Sequence, residues 1–92
     1  MAKEPVASLR SAEYDVFLTL LREVRETTGV SQEELSRRLK KPITYMGKVE
    51  LGTRRTDIIE LAAILESLDL DLVAFVKELK TRLKRPHTRR GD

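Results

Sequence analysis

The chain has 92 residues, of which 40% are hydrophobic and 36% charged, and this length and composition suit one small domain. Its 18 basic and 15 acidic side chains give a net charge of +3. The absence of cysteine excludes disulfide frameworks, cysteine-ligated metal sites and thiol nucleophiles, and because His87 is the one histidine, we expect no metal and no cofactor. No apolar run approaches the ~20 residues that span a bilayer and the N-terminus lacks a signal peptide, so we expect a cytoplasmic protein that binds no membrane.

Hydrophobic residues recur at spacings of three and four, and capping and turn residues divide this pattern into predicted helices. Residues 1–10 are predicted to be a flexible N-terminal arm and residues 86–92 a disordered basic tail. Residues 11–85 between them form one predicted domain. Its five helices are expected at residues 11–28, 32–40, 42–51, 57–68 and from Asp69 or Asp71 to about Leu83.

The second and third predicted helices have the clearest boundary signals. Ser31 followed by Glu34 is a capping box. Pro42 disfavours a helix in the residue before it and suits the first turn of a new helix, and Gly52 ends that helix. Two short helices so closely joined are typical of a helix-turn-helix, whose second helix enters the major groove of DNA.

The small net charge is unevenly distributed along the chain. Residues 37–55 hold seven cations and one anion, and so do residues 77–90, which gives each segment a net charge of +6 against −9 for the remainder. A basic block beside acidic surface is typical of a protein with one face toward a polyanion. The alternative is an ordinary solvated surface on an ordinary small helical bundle.

A helical wheel of the third helix predicts its outward face. If Met46 points into the core, Thr44 and Lys48 lie within about 20° of directly outward, while Ile43 faces inward or sideways. Lysine can donate to guanine O6 and N7, and threonine can bond a base edge or touch a thymine methyl. The outward face is flanked by Tyr45, Gly47 and Leu51.

The stretch from Leu20 to Asp71 resembles the phage repressor and Cro class of helix-turn-helix regulators, the Xre-like family. The landmarks that carry the resemblance are Arg25, Gly29, Ser31, Gln32, Leu35, Val49, Glu50 and Gly52. The resemblance implies an all-α, five-helix lambda-repressor-like DNA-binding domain with a helix-turn-helix. It also implies a transcriptional regulator with no catalytic activity, expected to repress by binding a palindromic operator in double-stranded DNA as a homodimer.

The resemblance assigns roles to individual residues. Its base-reading positions fall on Ile43, Thr44 and Lys48, and the last two agree with the helical wheel. Arg25 and Glu50 are expected to form a structural ion pair. Helix N-termini and cations suit phosphate contacts, and together with the resemblance this predicts phosphate binding by Ser31, Gln32, Lys41, Tyr45, Arg54 and Arg55.

Three residues depart from the pattern of the family. Lys40 occupies a turn position usually given to glycine, at a cost of roughly 1 to 2 kcal/mol if the backbone is left-handed. Gly47 lies inside the recognition helix, where it permits closer approach to DNA or marks a helix that becomes ordered on binding. Ile43 replaces a polar residue at the first reading position, which favours contact with a thymine methyl over bidentate readout of adenine.

The fifth predicted helix has more apolar residues than one buried face needs. We predict a dimer interface at Phe75, Leu79 and Leu83, and the alternative, that the helix completes the monomer's core, is favoured for Leu72, Val76 and Leu79. The same surplus keeps open a second class of function. In it the fold is a protein-interaction module with a protein partner, such as an antitoxin or a coactivator bridge.

Overall fold

The computed structural model describes residues 11–85, which contain five helices and no strand. This confirms the predicted all-α, five-helix fold class. The helices are α1 (Ala12–Thr28), α2 (Gln32–Arg38), α3 (Tyr45–Leu51), α4 (Ile58–Ser67) and α5 (Leu72–Lys84). The predicted arm at residues 1–10 and the predicted tail at residues 86–92, with His87, lie outside the described residues.

Side-chain caps explain where four of these helices begin. Ser11, Ser31, Asp57 and Asp71 each accept a hydrogen bond, 2.8 to 3.0 Å long, from the backbone N–H three residues later. The capping box is complete only at Asp57 among these four. At Ser31 the return bond of the predicted box is replaced, because the carboxylate of Glu34 accepts from Arg38 at 3.2 Å instead.

The turn of the helix-turn-helix is longer than predicted. α2 ends at Arg38 rather than residue 40, and α3 begins at Tyr45 rather than Pro42. A Schellman closure ends α2 early: the N–H of Lys41 donates to the carbonyl of Ser36, and Lys40 between them has a positive φ of 59°. Lys40 therefore adopts the left-handed conformation that glycine takes without steric cost.

One core joins all five helices. Ser36 is buried in it, and its hydroxyl accepts the N–H of Met46 at 3.0 Å, which ties α2 to the first turn of α3. The buried apolar cluster consists of Leu20, Leu21, Leu35, Tyr45, Met46, Val49, Leu61, Ile64, Leu65, Leu68 and Phe75. Among the helices described, none is long and apolar enough to cross a membrane.

The structure corrects the prediction for the fifth helix. Phe75, predicted at a dimer interface, is buried in the monomer and meets Phe17 edge to face with 6.0 Å between ring centroids. Leu72 and Leu79 pack against the same core. Val76, which we assigned to the core, is exposed instead. It follows Phe75 by about 100° of helical rotation, which places it at the edge of the buried stripe.

Candidate nucleic-acid interface

The exposed side of α3 is centred on Lys48 and on Thr44, the residue that directly precedes the helix. Both side chains are exposed, in agreement with the helical wheel, because Met46 and Val49 are fully buried on the opposite side. The bond from Met46 to Ser36 holds the start of α3 in a fixed orientation relative to α2. An exposed face held in this way requires little ordering when it meets a ligand.

Ile43 and Tyr45 differ from the helical-wheel prediction, and for Ile43 the reason is that α3 begins three residues later than expected. Ile43 precedes the helix and is exposed rather than inward-facing. Tyr45, predicted to flank the outward face and to bind phosphate, is buried. Burial, reinforced by the nearby charge of Glu60, raises the pKa of Tyr45. Tyr45 therefore belongs to the core and does not present itself to solvent.

Two cations lie against the ring of the buried Tyr45. Lys41 Nζ lies 5.4 Å and Arg54 Cζ 5.0 Å from the ring centroid, within the range of cation–π attraction. These three residues line a groove beside α3 together with Pro42, Thr44 and Lys48. We call this the cationic groove.

Arg54 is held by more than the ring of Tyr45. Its guanidinium donates to the carboxylate of Glu60 at 3.1 and 3.3 Å and to the carbonyl of Arg55 at 2.8 Å. The Arg55 guanidinium lies 4.3 Å from the ring centroid of Tyr14 on α1. The predicted phosphate-binding arginines are thus fixed between α3 and α4, and Arg54 also stabilises the first turn of α4.

A second groove lies on the other side of Thr44 and Lys48. It has a volume of about 500 Å³. Because Thr44 and Lys48 line both grooves, they form the ridge between them. The other residues of this second groove are Gln32, Glu33, Ile43, Gly47 and Leu51.

Gln32 lies across α3 at Gly47. Its Nε2 donates to Oε1 of Glu50 at 2.9 Å, and its own Oε1 is 3.4 Å from the point that a Cβ on residue 47 would occupy. This separation is at the tight edge of ordinary van der Waals contact. The missing side chain of Gly47 therefore leaves room for Gln32 as well as for an approaching ligand.

Arg25 and Glu50, which the resemblance pairs, are in direct contact. Arg25 Nε donates to Glu50 Oε2 at 2.6 Å and Arg25 Nη2 to Glu50 Oε1 at 3.0 Å, while Nη1 donates to the carbonyl of Val30 at 2.9 Å. The hydrogen bonds with Glu50 raise the pKa of Arg25. The pair connects α1, α3 and the α1–α2 loop, and so fixes the position of α3 from its buried side.

The remaining predicted residues occupy different surroundings. The Ser31 hydroxyl is occupied as the cap of α2. Leu79 and Leu83 lie on α5, which packs against α1 and α4 rather than against α3. The structure therefore gathers the predicted base-reading and phosphate-binding residues around α2, α3 and the following loop, and separates the predicted dimer residues from them.

Sequence reasoning missed Arg22. This exposed arginine on α1 lines a further groove beside α3, together with Gln32, Gly47, Glu50 and Leu51. A signal for it existed, because Arg22 precedes Arg25 by three residues and so lies on the same face of α1.

The sequence model of the helix-turn-helix family matches residues 21–75, which include all of α2, α3 and α4. The chain belongs to the Xre-like helix-turn-helix family. This Xre-like protein is similar in structure to an XRE-family like protein from Pseudomonas syringae pv. tomato, with a TM-score of 0.75 and 30% identity, over 87% of this chain and 98% of that one. No curated protein matches it. Its family makes the Xre-like protein a DNA-binding transcriptional regulator.

The ion pair of Arg54 and Glu60 gives the Xre-like domain a pH-dependent contribution to stability. Hydrogen bonds from Arg54, assisted by Thr56 and the N–H of Asp57, hold the pKa of Glu60 below its ordinary value of 4.5. A carboxyl group with a lowered pKa stabilises the fold above its unfolded-state pKa, and that stabilisation is lost as the pH falls through the folded-state value.

We therefore expect the free energy of unfolding to fall as the pH drops below about 4.5, and to fall less steeply in Glu60→Gln. Urea unfolding at a series of pH values measures both slopes. Glu66→Gln, which removes an exposed carboxylate from the same helix, is the matched control and should keep the wild-type slope. If Glu60→Gln also kept that slope, the ion pair would have no part in acid sensitivity.

Proposed function

We propose that this Xre-like protein represses transcription by occupying a palindromic operator as a homodimer, with α3 of each copy in the major groove of double-stranded DNA. The observation that carries the proposal is the ridge of Thr44 and Lys48 on a fixed helix, with cations lining the groove along one side. Repression follows from occupancy, since a bound dimer excludes other proteins from the same DNA.

The residues around the ridge have complementary roles in the proposed complex. Lys48 donates to guanine O6 and N7, Thr44 bonds an adjacent base edge, and Ile43 makes an apolar contact. Phosphate contacts come from the N-terminus of α2 and from cations around α3, because backbone N–H groups and cations bind phosphate without reading sequence. Those phosphate-binding residues are Ser31, Gln32, Lys41, Arg54, Arg55 and the newly identified Arg22.

Tyr45 has a different role from the one first predicted. Its buried ring holds Lys41 and Arg54 in place by cation–π attraction. We therefore propose that Tyr45 positions the two phosphate-binding cations and does not itself bind phosphate.

The test of DNA binding is the salt dependence of affinity for a duplex selected from a random pool. We expect log K to fall linearly with log salt, and Lys41→Ala to weaken binding to every sequence and reduce the slope by about 0.9. Lys41 is a cleaner test than Arg54, whose removal also breaks the contacts with Glu60. Lys80→Ala, an exposed cation on α5, should leave the slope unchanged. Binding that is independent of salt in all three proteins would exclude a phosphate interface.

The proposed homodimer forms through the outer face of α5. Val73 is 65% exposed and Val76 40%, and with Leu83 near the C-terminal end they place apolar surface on one helix. A twofold dimer places two recognition helices ~34 Å apart, one turn of DNA. Leu79 packs against the core and contributes only its exposed part.

For the dimer we predict a mass in sedimentation equilibrium that doubles with rising protein concentration. Val73→Lys should keep the protein monomeric, because it places a charge in an apolar contact. Ile59→Lys replaces an aliphatic residue on α4 that is 74% exposed, more than Val73, and should leave the dimer intact. A wild-type protein that stays monomeric at high micromolar concentration would contradict this arrangement.

A second candidate function is a protein-interaction module, such as an antitoxin or a coactivator bridge. It is favoured by a separate apolar groove between α1 and α5, lined by Leu20, Val24, Leu70, Ala74 and Phe75 among others. This function would be favoured over DNA binding if a protein partner bound in that groove and no duplex was selected from a random pool.

A further inference from the structure

The two grooves beside the ridge of Thr44 and Lys48 differ in chemistry. The cationic groove holds Lys41 and Arg54, whereas the second groove is lined by the apolar residues Ile43, Gly47 and Leu51 together with Gln32, Glu33 and the two ridge residues. Ile43 is 50% exposed and Leu51 62% exposed. Single exposed aliphatic residues are common on protein surfaces, but these two open into the same groove within an otherwise charged face.

Gly47 is the third apolar residue that lines this groove. It lies between Ile43 and Leu51 at spacings of four residues in sequence, and it adds no side chain of its own. Gln32 lies beside it, with its Nε2 bound to Glu50 and its Oε1 3.4 Å from the point that a Cβ on residue 47 would occupy, so the carboxamide closes one side of the groove at Gly47. The groove therefore offers a recess between two aliphatic side chains, next to Lys48.

The edges of base pairs in the major groove present one apolar group, the C5 methyl of thymine. All four bases also present hydrogen-bonding atoms there, which an aliphatic recess would desolvate without compensation, and only thymine has a methyl group that can enter the recess while its O4 stays outside. A recess of this composition thus favours thymine beside the base that Lys48 contacts. The cations on the other side of the ridge suit the phosphates of the same duplex, which argues for DNA as the occupant.

We propose that Ile43, Gly47 and Leu51 form a methyl-reading recess that selects thymine next to the base pair read by Lys48. This rests on the proposed function and deepens it, since Leu51 and Gly47 become specificity-determining residues beyond the reading positions Ile43, Thr44 and Lys48. Ile43 and Leu51 contact the methyl group from two sides, and Gly47 admits it.

Replacing thymine by deoxyuridine tests the recess, because it removes the methyl and leaves every hydrogen-bonding atom in place. In a duplex selected from a random pool, each thymine is replaced in turn and the Kd is measured at constant salt. We expect a loss of about fourfold at one position in each half-site, which corresponds to one buried methyl group. In Ile43→Ser and in Leu51→Ser, the Kd for the deoxyuridine duplex divided by the Kd for the thymine duplex should fall to about one.

Ile59→Ser is the matched control, since Ile59 is also exposed but lies on α4, and it should keep the fourfold ratio. Thermal unfolding checks that each variant is folded. If a duplex is selected and no thymine replacement changes its Kd, or if Leu51→Ser keeps the ratio, the recess is overturned while the DNA-binding function stands. If no duplex is selected, both proposals are overturned.

Discussion

Replacing Arg25 by alanine is expected to lower the free energy of unfolding by about 3 to 5 kcal/mol, because it leaves a buried carboxylate without its cation. The side chain of Arg25 is 10% exposed and that of Glu50 4% exposed. Glu50 accepts two hydrogen bonds from Arg25 and one from Gln32, so the loss of Arg25 leaves it with one neutral donor. Urea unfolding followed by circular dichroism at neutral pH measures the effect.

Two further variants test whether the loss of stability comes from burial of the ion pair or from the loss of any ion pair. Arg82→Ala breaks contacts of 2.8 Å to Glu23 and 2.9 Å to Glu78, yet should change stability little, because those carboxylates are about half exposed and water screens them. Arg25→Met combined with Glu50→Leu should recover much of the stability lost in Arg25→Ala, since no buried charge remains. Equal costs for Arg25→Ala and Arg82→Ala would show that the buried pair has no special importance.

Replacing Lys48 by alanine is expected to reduce discrimination between operator and unrelated DNA by about 1 to 3 kcal/mol, roughly five- to 150-fold in the ratio of Kd values. Lys48 lies on the ridge of α3 and is exposed, so its loss leaves the core intact. Binding to unrelated DNA should weaken much less. Competition between the selected duplex and a scrambled one, at a single salt concentration, measures the ratio.

Lys41→Ala is the comparison that gives this result meaning. It removes a cation from the neighbouring groove, and it should weaken both duplexes alike and preserve their ratio. If Lys48→Ala behaved like Lys41→Ala, Lys48 would be a phosphate contact, and base reading would have to come from Thr44 and Ile43.

The helix boundaries that sequence predicted well depend on local interactions. Ser31 caps α2, Asp57 caps α4, and Gly52 ends α3 with a positive φ of 91°. Each of these signals acts within about one helical turn of its own residue, which is why the amino-acid sequence alone predicts these boundaries. The choice between Asp69 and Asp71 for the start of α5 was local too, but both are compatible with a helix start. The structure uses Asp71 as the cap and places Asp69 in the preceding turn at a φ of 61°.

The start of α3 was predicted wrongly for a reason that is partly non-local. Pro42 is compatible with the first turn of a helix and also with a turn that precedes one. The left-handed Lys40 and the bond from Met46 to Ser36 decide between them. Starting α3 at Tyr45 makes Ile43 accessible, and the proposed methyl-reading recess depends on that accessibility.

Sequence alone is enough to determine the helical class, most boundaries and the outward position of Thr44 and Lys48, because helical periodicity and capping involve neighbours in the chain. Only the tertiary structure buries Tyr45 under two cations, places Phe75 in the core rather than at an interface, and lays Gln32 across Gly47. Each of these depends on contacts between helices far apart in sequence, whose packing decides which of several compatible faces of a helix is covered.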